Sequence, residues 1–294
     1  MEHKAGFVNI IGNPNVGKST LMNAMIGEKL SIITSKAQTT RKRIMGIVNG
    51  DDFQIVYSDT PGIIKPLYKL QEYMLGQAMS ALADADIILY VTDVNETFDK
   101  NRLFLEKLSK VRVPLLVLLN KIDLSNEEKV SHLMQAWKTV FPVAEIIPIS
   151  ALENFNLGKV FDLILENLPD SPPYFPKDEL TDKSERFFCS EMIREKILLN
   201  YQKEVPYSVE VLIDAFQDTD QLLRISGTIY VARESQKGII IGHQGKALKR
   251  TGTMARKDLE DFFGKKVFLE LMVKVKKEWR NDVRSLRNFG YHKS

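Results

Sequence analysis

The sequence predicts an α/β domain followed by a smaller α+β domain. Three observations carry that reading. The apolar run at residues 7–11 feeds straight into Gly12-Asn13-Pro14-Asn15-Val16-Gly17-Lys18-Ser19, so a buried strand turns through a glycine-rich loop into a helix. Two further apolar runs, at residues 115–119 and 146–149, read as buried strands that end in short polar motifs. Past a proline-rich stretch, the pattern changes to one helical segment followed by alternating strands.

The first loop has the spacing G-x-x-x-x-G-K-S. The backbone N–H groups of such a loop, with the positive end of the helix behind it, make a site for polyphosphate. Residues 12–19, together with Thr20, are the candidate phosphate-binding residues. Lys18 is placed to reach the β- and γ-phosphates as a point charge, and Ser19 to offer its hydroxyl to Mg²⁺. A chance glycine turn is the alternative; it accounts neither for the Lys-Ser pair nor for the strand in front.

Asn120-Lys121-Ile122-Asp123 closes the run at 115–119. N-K-x-D at the carboxyl end of a strand reads guanine. The Asp123 carboxylate accepts from guanine N1–H and from its exocyclic amine, whereas adenine has no donor at either position. A site built on such bonds discriminates by roughly 10⁴-fold. Asn120 ties the loop together and the Lys121 stem covers the base face. Ser150-Ala151-Leu152, after the run at 146–149, fits a last base-contact loop whose backbone N–H meets guanine O6.

Asp59-Thr60-Pro61-Gly62 follows Gln54-Ile55-Val56-Tyr57-Ser58. Asp59 is placed to hold Mg²⁺ through water, and the Gly62 N–H to bond the γ-phosphate, since glycine lets backbone approach closely. Gln38, Thr39, Thr40 and Arg41 sit in a polar stretch, where one threonine, Thr40 ahead of Thr39, supplies a second Mg²⁺ hydroxyl. A solvated loop is the competing reading of that stretch. Five such elements in this order are the signature of the GTPase superfamily, and residues 7–168 resemble a Ras-like G domain. The resemblance implies a mostly parallel sheet with one antiparallel strand and helices on both faces.

The whole chain has 294 residues, enough for two domains, and its 44% apolar content is that of a globular protein. No apolar run approaches the roughly 18 residues of a membrane span. Met1-Glu2-His3-Lys4 lacks a signal-peptide layout. Cys189 is the only cysteine and reads as a core residue, which fits a reducing cytoplasm. The net charge of +3 hides an asymmetry: residues 186–294 carry 21 Lys and Arg against 14 Asp and Glu, while residues 1–185 carry 20 against 24. The basic half points to a polyanion. Four of the eleven prolines fall at 169–176, so residues 169–185 read as a linker or semi-rigid strap between a domain at 1–168 and one at 186–294.

In the second domain, residues 187–201 have helical spacing, and 207–216 and 221–233 read as strands, the latter with a break near Gly227. Residues 238–241 lead into Gly242-His243-Gln244-Gly245, then a long helix at 246–263 and a third alternating strand at 266–275. This is the layout of a type II KH domain, whose G-x-x-G loop clamps about four single-stranded nucleotides. Lys237, Lys246, Lys249 and Arg250 surround the loop as candidate phosphate contacts. His243 and Gln244 depart from the pattern by not being basic. The tail at 274–287 reads as a basic amphipathic helix that packs Trp279 on the domain; an extended RNA surface and a membrane-surface helix are the other readings.

A G domain followed by a type II KH domain closely resembles the bacterial Era GTPase family along essentially the whole chain. The resemblance implies binding of GTP and GDP, binding near the 3′ end of small-subunit (16S) ribosomal RNA within the pre-30S particle, and an assembly checkpoint role. It also implies a monomer in the cytoplasm with peripheral association at the inner membrane face. A membrane-associated growth regulator, with RNA binding secondary, is the alternative. Ras-like enzymes place a glutamine just after the glycine of Asp-x-x-Gly, but here Ile63 and Ile64 follow. The resemblance therefore implies another route, K⁺ held with help from Asn15 and the loop before Thr40, and slow intrinsic hydrolysis. Three rivals remain: a P-loop metabolic kinase, which Asp123 argues against, a constitutive RNA binder with a vestigial G domain, and a translocation GTPase, which would have a hydrophobic binding domain.

Overall fold

The computed structural model describes residues 3–96 and 102–292; residues 1–2, 97–101 and 293–294 lie outside them. The chain forms two compact units. One is built from residues up to Pro66 with Gln71–Asp182, the other from Leu67–Leu70 with the chain from Lys183 onward.

The first unit is a six-stranded sheet in the order β2-β3-β1-β4-β5-β6. Its strands are β1 (Lys4–Gly12), β2 (Ile44–Asn49), β3 (Phe53–Asp59), β4 (Ile87–Asp93), β5 (Leu115–Asn120) and β6 (Glu145–Pro148). All neighbours are parallel except β2, which runs antiparallel to β3. Among the described residues its helices are α1 (Lys18–Ile26), α2 (Lys69–Ala83, from Gln71 onward in this unit), α3 (Arg102–Leu108), α4 (Glu127–Val140) and α5 (Leu157–Asn167). Parallel strands covered on both faces must be apolar throughout, and every residue of β4 is buried. Tyr90 of β4 packs edge-on against Trp137 of α4 at 5.6 Å, inside a cluster with Ile11, Ile63 and Phe141. α4 starts cleanly because Asn126 accepts from the Lys129 N–H at 2.9 Å, with Glu127 and Glu128 in the positive first turn.

Register lines up the carboxyl ends of four strands. Ile10 pairs with Asp59, Gly12 with Val91, and Asp93 with Asn120. The chain leaves β1 toward β3 on one side and reaches β4 on the other, which makes the end of β1 the topological switch point where α/β sheets bind ligands.

The proline-rich strap is more ordered than expected of a segment whose prolines lack N–H groups. It docks on the β2–β3 edge through the few groups that can bond. The buried Gln54 side chain accepts from the Tyr174 and Phe175 N–H groups at 2.7 and 2.9 Å and donates to Phe175 O at 2.8 Å. Ile47 N–H donates to Leu180 O at 2.8 Å, and Asp182 accepts from the Met45 N–H at 2.9 Å.

The second unit has α6 (Glu185–Asn200), β7 (Glu210–Asp218), β8 (Leu222–Val231), α7 (Glu234–Ile241), α8 (Lys246–Phe263), β9 (Lys266–Val275) and α9 (Val283–Asn288). Its sheet runs β7-β8-β9, antiparallel then parallel. Ile193 and Ile197 of α6, Ala255 of α8 and Ile229 of β8 meet in one core. Two expectations are corrected here. β8 runs unbroken through Gly227, and the irregularity falls on β7, where the register shifts between Ile213 and Ala215. A glycine at 227 lets the bulged strand come close: a Cβ there would sit 3.3 Å from Leu212 O. The tail is not one amphipathic helix. β9 continues to Val275, a turn with Glu278 in the left-handed region follows, and α9 begins only at Val283, capped by Asp282. Trp279 is fully buried nonetheless, donating Nε1–H to Ser208 O at 2.9 Å and meeting Phe289 edge-on at 5.3 Å.

Candidate functional site

Residues 12–19 leave β1 as a tight loop and enter α1. Gly17 has φ +99, and a Cβ there would fall 2.2 Å from Asn120 Nδ2, so no other residue fits between the two motifs. Lys18 is buried and donates Nζ–H to Asn13 O at 2.7 Å. Burial lowers its pKa to about 8, against the opposing pull of the Asp59 and Glu96 carboxylates. A phosphate group arriving here would supply the counter-charge that burial removes.

Ser19, Thr40 and Asp59 converge. Ser19 Oγ donates to Asp59 Oδ2 at 2.6 Å and lies 2.9 Å from Thr40 Oγ1, which itself donates to Asp59 Oδ2 at 3.1 Å. Thr39 points elsewhere, donating to Lys36 O at 2.6 Å. Asp59 is fully buried, and burial pushes its carboxyl above the ordinary range. Its Oδ1 is buried with no hydrogen-bond partner among the described residues. A buried orphan carboxylate oxygen beside two hydroxyls is a hard, oxygen-only donor set, which suits Mg²⁺. Among the described residues no cluster of three or more His, Cys, Asp or Glu could hold a metal by itself. Any Mg²⁺ held here would need further oxygen ligands from phosphate or water.

A pocket of about 490 Å³ opens over this constellation, within the range of small-ligand sites. Pro14, Asn15, Gly17, Lys18, Ser19, Thr20, Gln38, Thr39, Thr40, Gly62, Lys121 and Leu152 line it. Gly12, Asn13, Val16, Arg41, Asp59, Thr60, Pro61, Asn120, Asp123, Ser150 and Ala151 do not line it. Thr60 donates to Ile10 O at 2.7 Å, while Gly12, Asn13, Val16, Arg41 and Pro61 are buried. A Cβ on Gly62 would lie 2.7 Å from Pro14 N, so the segment after β3 rests directly on the loop at residues 12–19.

The base end is tied by side chains. Asn120 donates to Val16 O at 2.8 Å and accepts from the Ala151 N–H at 3.0 Å, linking three loops. Ser150 Oγ donates to Asp123 Oδ1 at 2.6 Å, which orients the exposed carboxylate. Lys121 donates to Asn15 O at 2.5 Å and to Asp93 at 2.7 Å.

In the second unit the Gly242–Gly245 turn joins α7 to α8. Gly242 has φ +70, and a Cβ there would lie 2.6 Å from that of Ala247; Gly245 has φ +74 with open space around it. His243, Gln244, Lys246, Lys249 and Arg250 are exposed and Lys237 is half-buried, so the turn presents backbone and cations together.

Comparison with known proteins agrees with both halves. A family model described as 50S ribosome-binding GTPase matches residues 7–121, and a KH domain model matches residues 204–280. GTPase Era of Staphylococcus haemolyticus is 45% identical over 99% of this chain and 98% of its own, and that of Syntrophus aciditrophicus is 49% identical over 98% and 95%. The chain belongs to the Era family of GTPases. An Era crystal structure holding MgGDPNP and nucleotides 1506–1542 of 16S ribosomal RNA superposes with a TM-score of 0.94, at 40% identity, covering 98% of this chain and 99% of that one. An Aquifex aeolicus Era variant bound to GDP and AlF₄⁻ matches equally, with TM-score 0.94.

For an Era-family chain, some contacts here have no counterpart in the sequence reading. Ile32, Ile33, Thr34, Ser35 and Lys36 also line the pocket. The apolar pair Ile32-Ile33 inside a polar loop is the available signal. Asp93, the last residue of β4, and Glu96, in the turn after it, reach Lys121 and Asn13, and no spacing rule points to them.

Proposed function

We propose that this chain is a Mg²⁺-dependent GTP-hydrolysing switch whose KH domain binds single-stranded RNA from the 3′ region of small-subunit ribosomal RNA, as a checkpoint in assembly of that subunit. One observation carries the nucleotide half: Lys18, Ser19 and Thr40 line a single pocket that Lys121 and Leu152 also border, and the buried Asp59 accepts from both hydroxyls. Ser19, Thr40 and Asp59 would hold Mg²⁺, which would supply positive charge to offset the negative charge of the phosphates. Lys18 and the loop amides bind the β- and γ-phosphates. Asp123, held by Ser150, takes the guanine edge. Ile63 is buried in the core and its N–H donates to Gly12 O at 3.2 Å, so it does not orient water. Intrinsic turnover is accordingly slow. Asn15, exposed at the pocket rim, offers an oxygen of the kind K⁺ takes.

Order in the loops at Thr40 and Gly62 depends on the γ-phosphate, and hydrolysis releases it. The RNA half rests on the turn at Gly242–Gly245 and its cations, and on the RNA bound by the relative. We place the chain in the cytoplasm as a monomer, with a peripheral hold on the inner membrane face by exposed lysines such as Lys274 and Lys277.

Calorimetry with GTP and ATP in Mg²⁺ tests the first claim: heat with GTP alone is expected, and equal affinity for ATP overturns it. Asp123→Asn should move preference toward xanthine nucleotides; unchanged GTP binding by that variant removes Asp123 from the site. Hydrolysis should rise when K⁺ replaces Na⁺, and fast turnover without K⁺ contradicts the mechanism. Fluorescence anisotropy with labelled 16S nucleotides 1506–1542 should show tighter binding to the GTP form than to the GDP form; equal binding removes the switch.

A further inference from the structure

The turn after β4 reaches the loop at residues 12–19 directly at Asn13 and, through Lys121, at Asn15. Asp93 caps the turn by accepting from the Asn95 N–H at 2.8 Å, and the Glu96 N–H donates to Asp93 O at 3.2 Å. Both carboxylates then reach outward. Asp93 holds Lys121, whose Nζ also donates to Asn15 O. Glu96 Oε2 accepts from Thr92 Oγ1 at 3.0 Å, and its Oε1 accepts from Asn13 Nδ2 at 2.5 Å. Pro14 is thus bracketed by two anchored neighbours, Asn13 and Asn15. Neither Glu96 nor Asn13 lines the pocket; Glu96 reaches it through its bond to Asn13 and through its charge on the buried Lys18.

We propose that Glu96 is a positioning residue that sets the γ-phosphate end of the loop by fixing the buried Asn13 side chain, so that it favours GTP over GDP. This rests on the reading of the pocket as a guanine-nucleotide site. The two limbs of the loop have different duties. The limb at residues 17–20 enters α1 and presents its amides to the inner phosphates, common to GDP and GTP. The limb at Asn13 and Pro14 lies against Gly62, whose N–H is the γ-phosphate donor: a Gly62 Cβ would sit 2.7 Å from Pro14 N, and Ile63 N–H bonds Gly12 O. Asn13 also carries the main-chain oxygen on which Lys18 rests. Releasing the Asn13 side chain loosens the γ end at Pro14 and Gly62, while its main-chain oxygen still holds Lys18, which serves the β- as well as the γ-phosphate, so the inner-phosphate cradle stays in place. Asp93, acting through Lys121 on the base end, influences GDP and GTP alike.

The test is equilibrium binding of GDP and of the nonhydrolysable analogue GDPNP to the full chain in Mg²⁺. Wild-type GDP binding checks the parent reading; a chain that binds neither nucleotide ends that reading and the inference with it. With wild type bound, Glu96→Ala and Asn13→Ala should each weaken GDPNP about tenfold and GDP less than about twofold, as for loss of one charge-assisted hydrogen bond. The double variant should be no worse than either single one. Glu96→Gln keeps an acceptor for Asn13 and should recover most of the GDPNP affinity, while Asp93→Asn should weaken both nucleotides equally. Retained GDP binding reports that each variant is folded. Equal losses for GDP and GDPNP in Glu96→Ala, additive losses in the double variant, or no loss at all would overturn the proposal.

Discussion

Replacing Asn120 by alanine tests how the site is held together. Asn120 is 1% exposed and bridges Val16 O and the Ala151 N–H, at 2.8 and 3.0 Å. Truncation deletes two hydrogen bonds and strands one buried acceptor and one buried donor, each costing about 1–3 kcal/mol. Local rearrangement recovers part of this, leaving a loss of about 3 kcal/mol. For a domain of this size 1 kcal/mol moves the midpoint by about 2–4 °C, so the first domain's transition should fall by about 6–12 °C. Scanning calorimetry on nucleotide-free protein reads this directly. The same variant should lose most of its GTP affinity, because the phosphate loop and the Ser150-Ala151-Leu152 loop no longer share a strut. A transition shifted by under about 2 °C would refute the claim that Asn120 is the strut.

Other outcomes follow from single positions. Gly245→Ala should cost about 1–2 kcal/mol in urea unfolding for its left-handed backbone alone, and Gly242→Ala measurably more because its Cβ also meets Ala247 on α8; equal costs would contradict that contact. Trp279→Ala should destabilise the second domain by about 3–5 kcal/mol, read by the same method, since it empties a fully buried site and strands Ser208 O. Burial pushes the Cys189 thiol up to about 12, so native protein should resist thiol reagents at pH 8 and react only on unfolding; rapid native labelling would place Cys189 at the surface.

The motifs are legible because each is a contiguous string at the end of an apolar run. β1, β3 and β5 announce themselves through the polar segment that follows them. β4 has no such flag: Ile87 to Val91 is a plain apolar run, which periodicity alone does not separate from a buried helix. Its turn escapes for the same reason, since Glu96 meets Asn13 across 83 residues of chain. Adjacent threonines at 39 and 40 look alike in a string, whereas in space one faces Ser19 and the other Lys36. Trp279 packs into the domain as its pattern predicts, but the left-handed Glu278 beside it replaces the expected helix by a turn. Arg194 and Lys196 lie buried on α6, paired with Glu191 and Glu195, and a helical wheel gives no hint of charges on the inner face.

The strap changes where the first domain can be cut. Ending a fragment at the proline cluster would strip β2 of its partner at Leu180. Of the four bonds made by the Gln54 amide, only the one to Asn49 would survive loss of the whole strap. An uncovered outer strand invites pairing between copies. A stand-alone catalytic half must therefore keep its chain through Asp182, or self-association will be mistaken for a property of the enzyme.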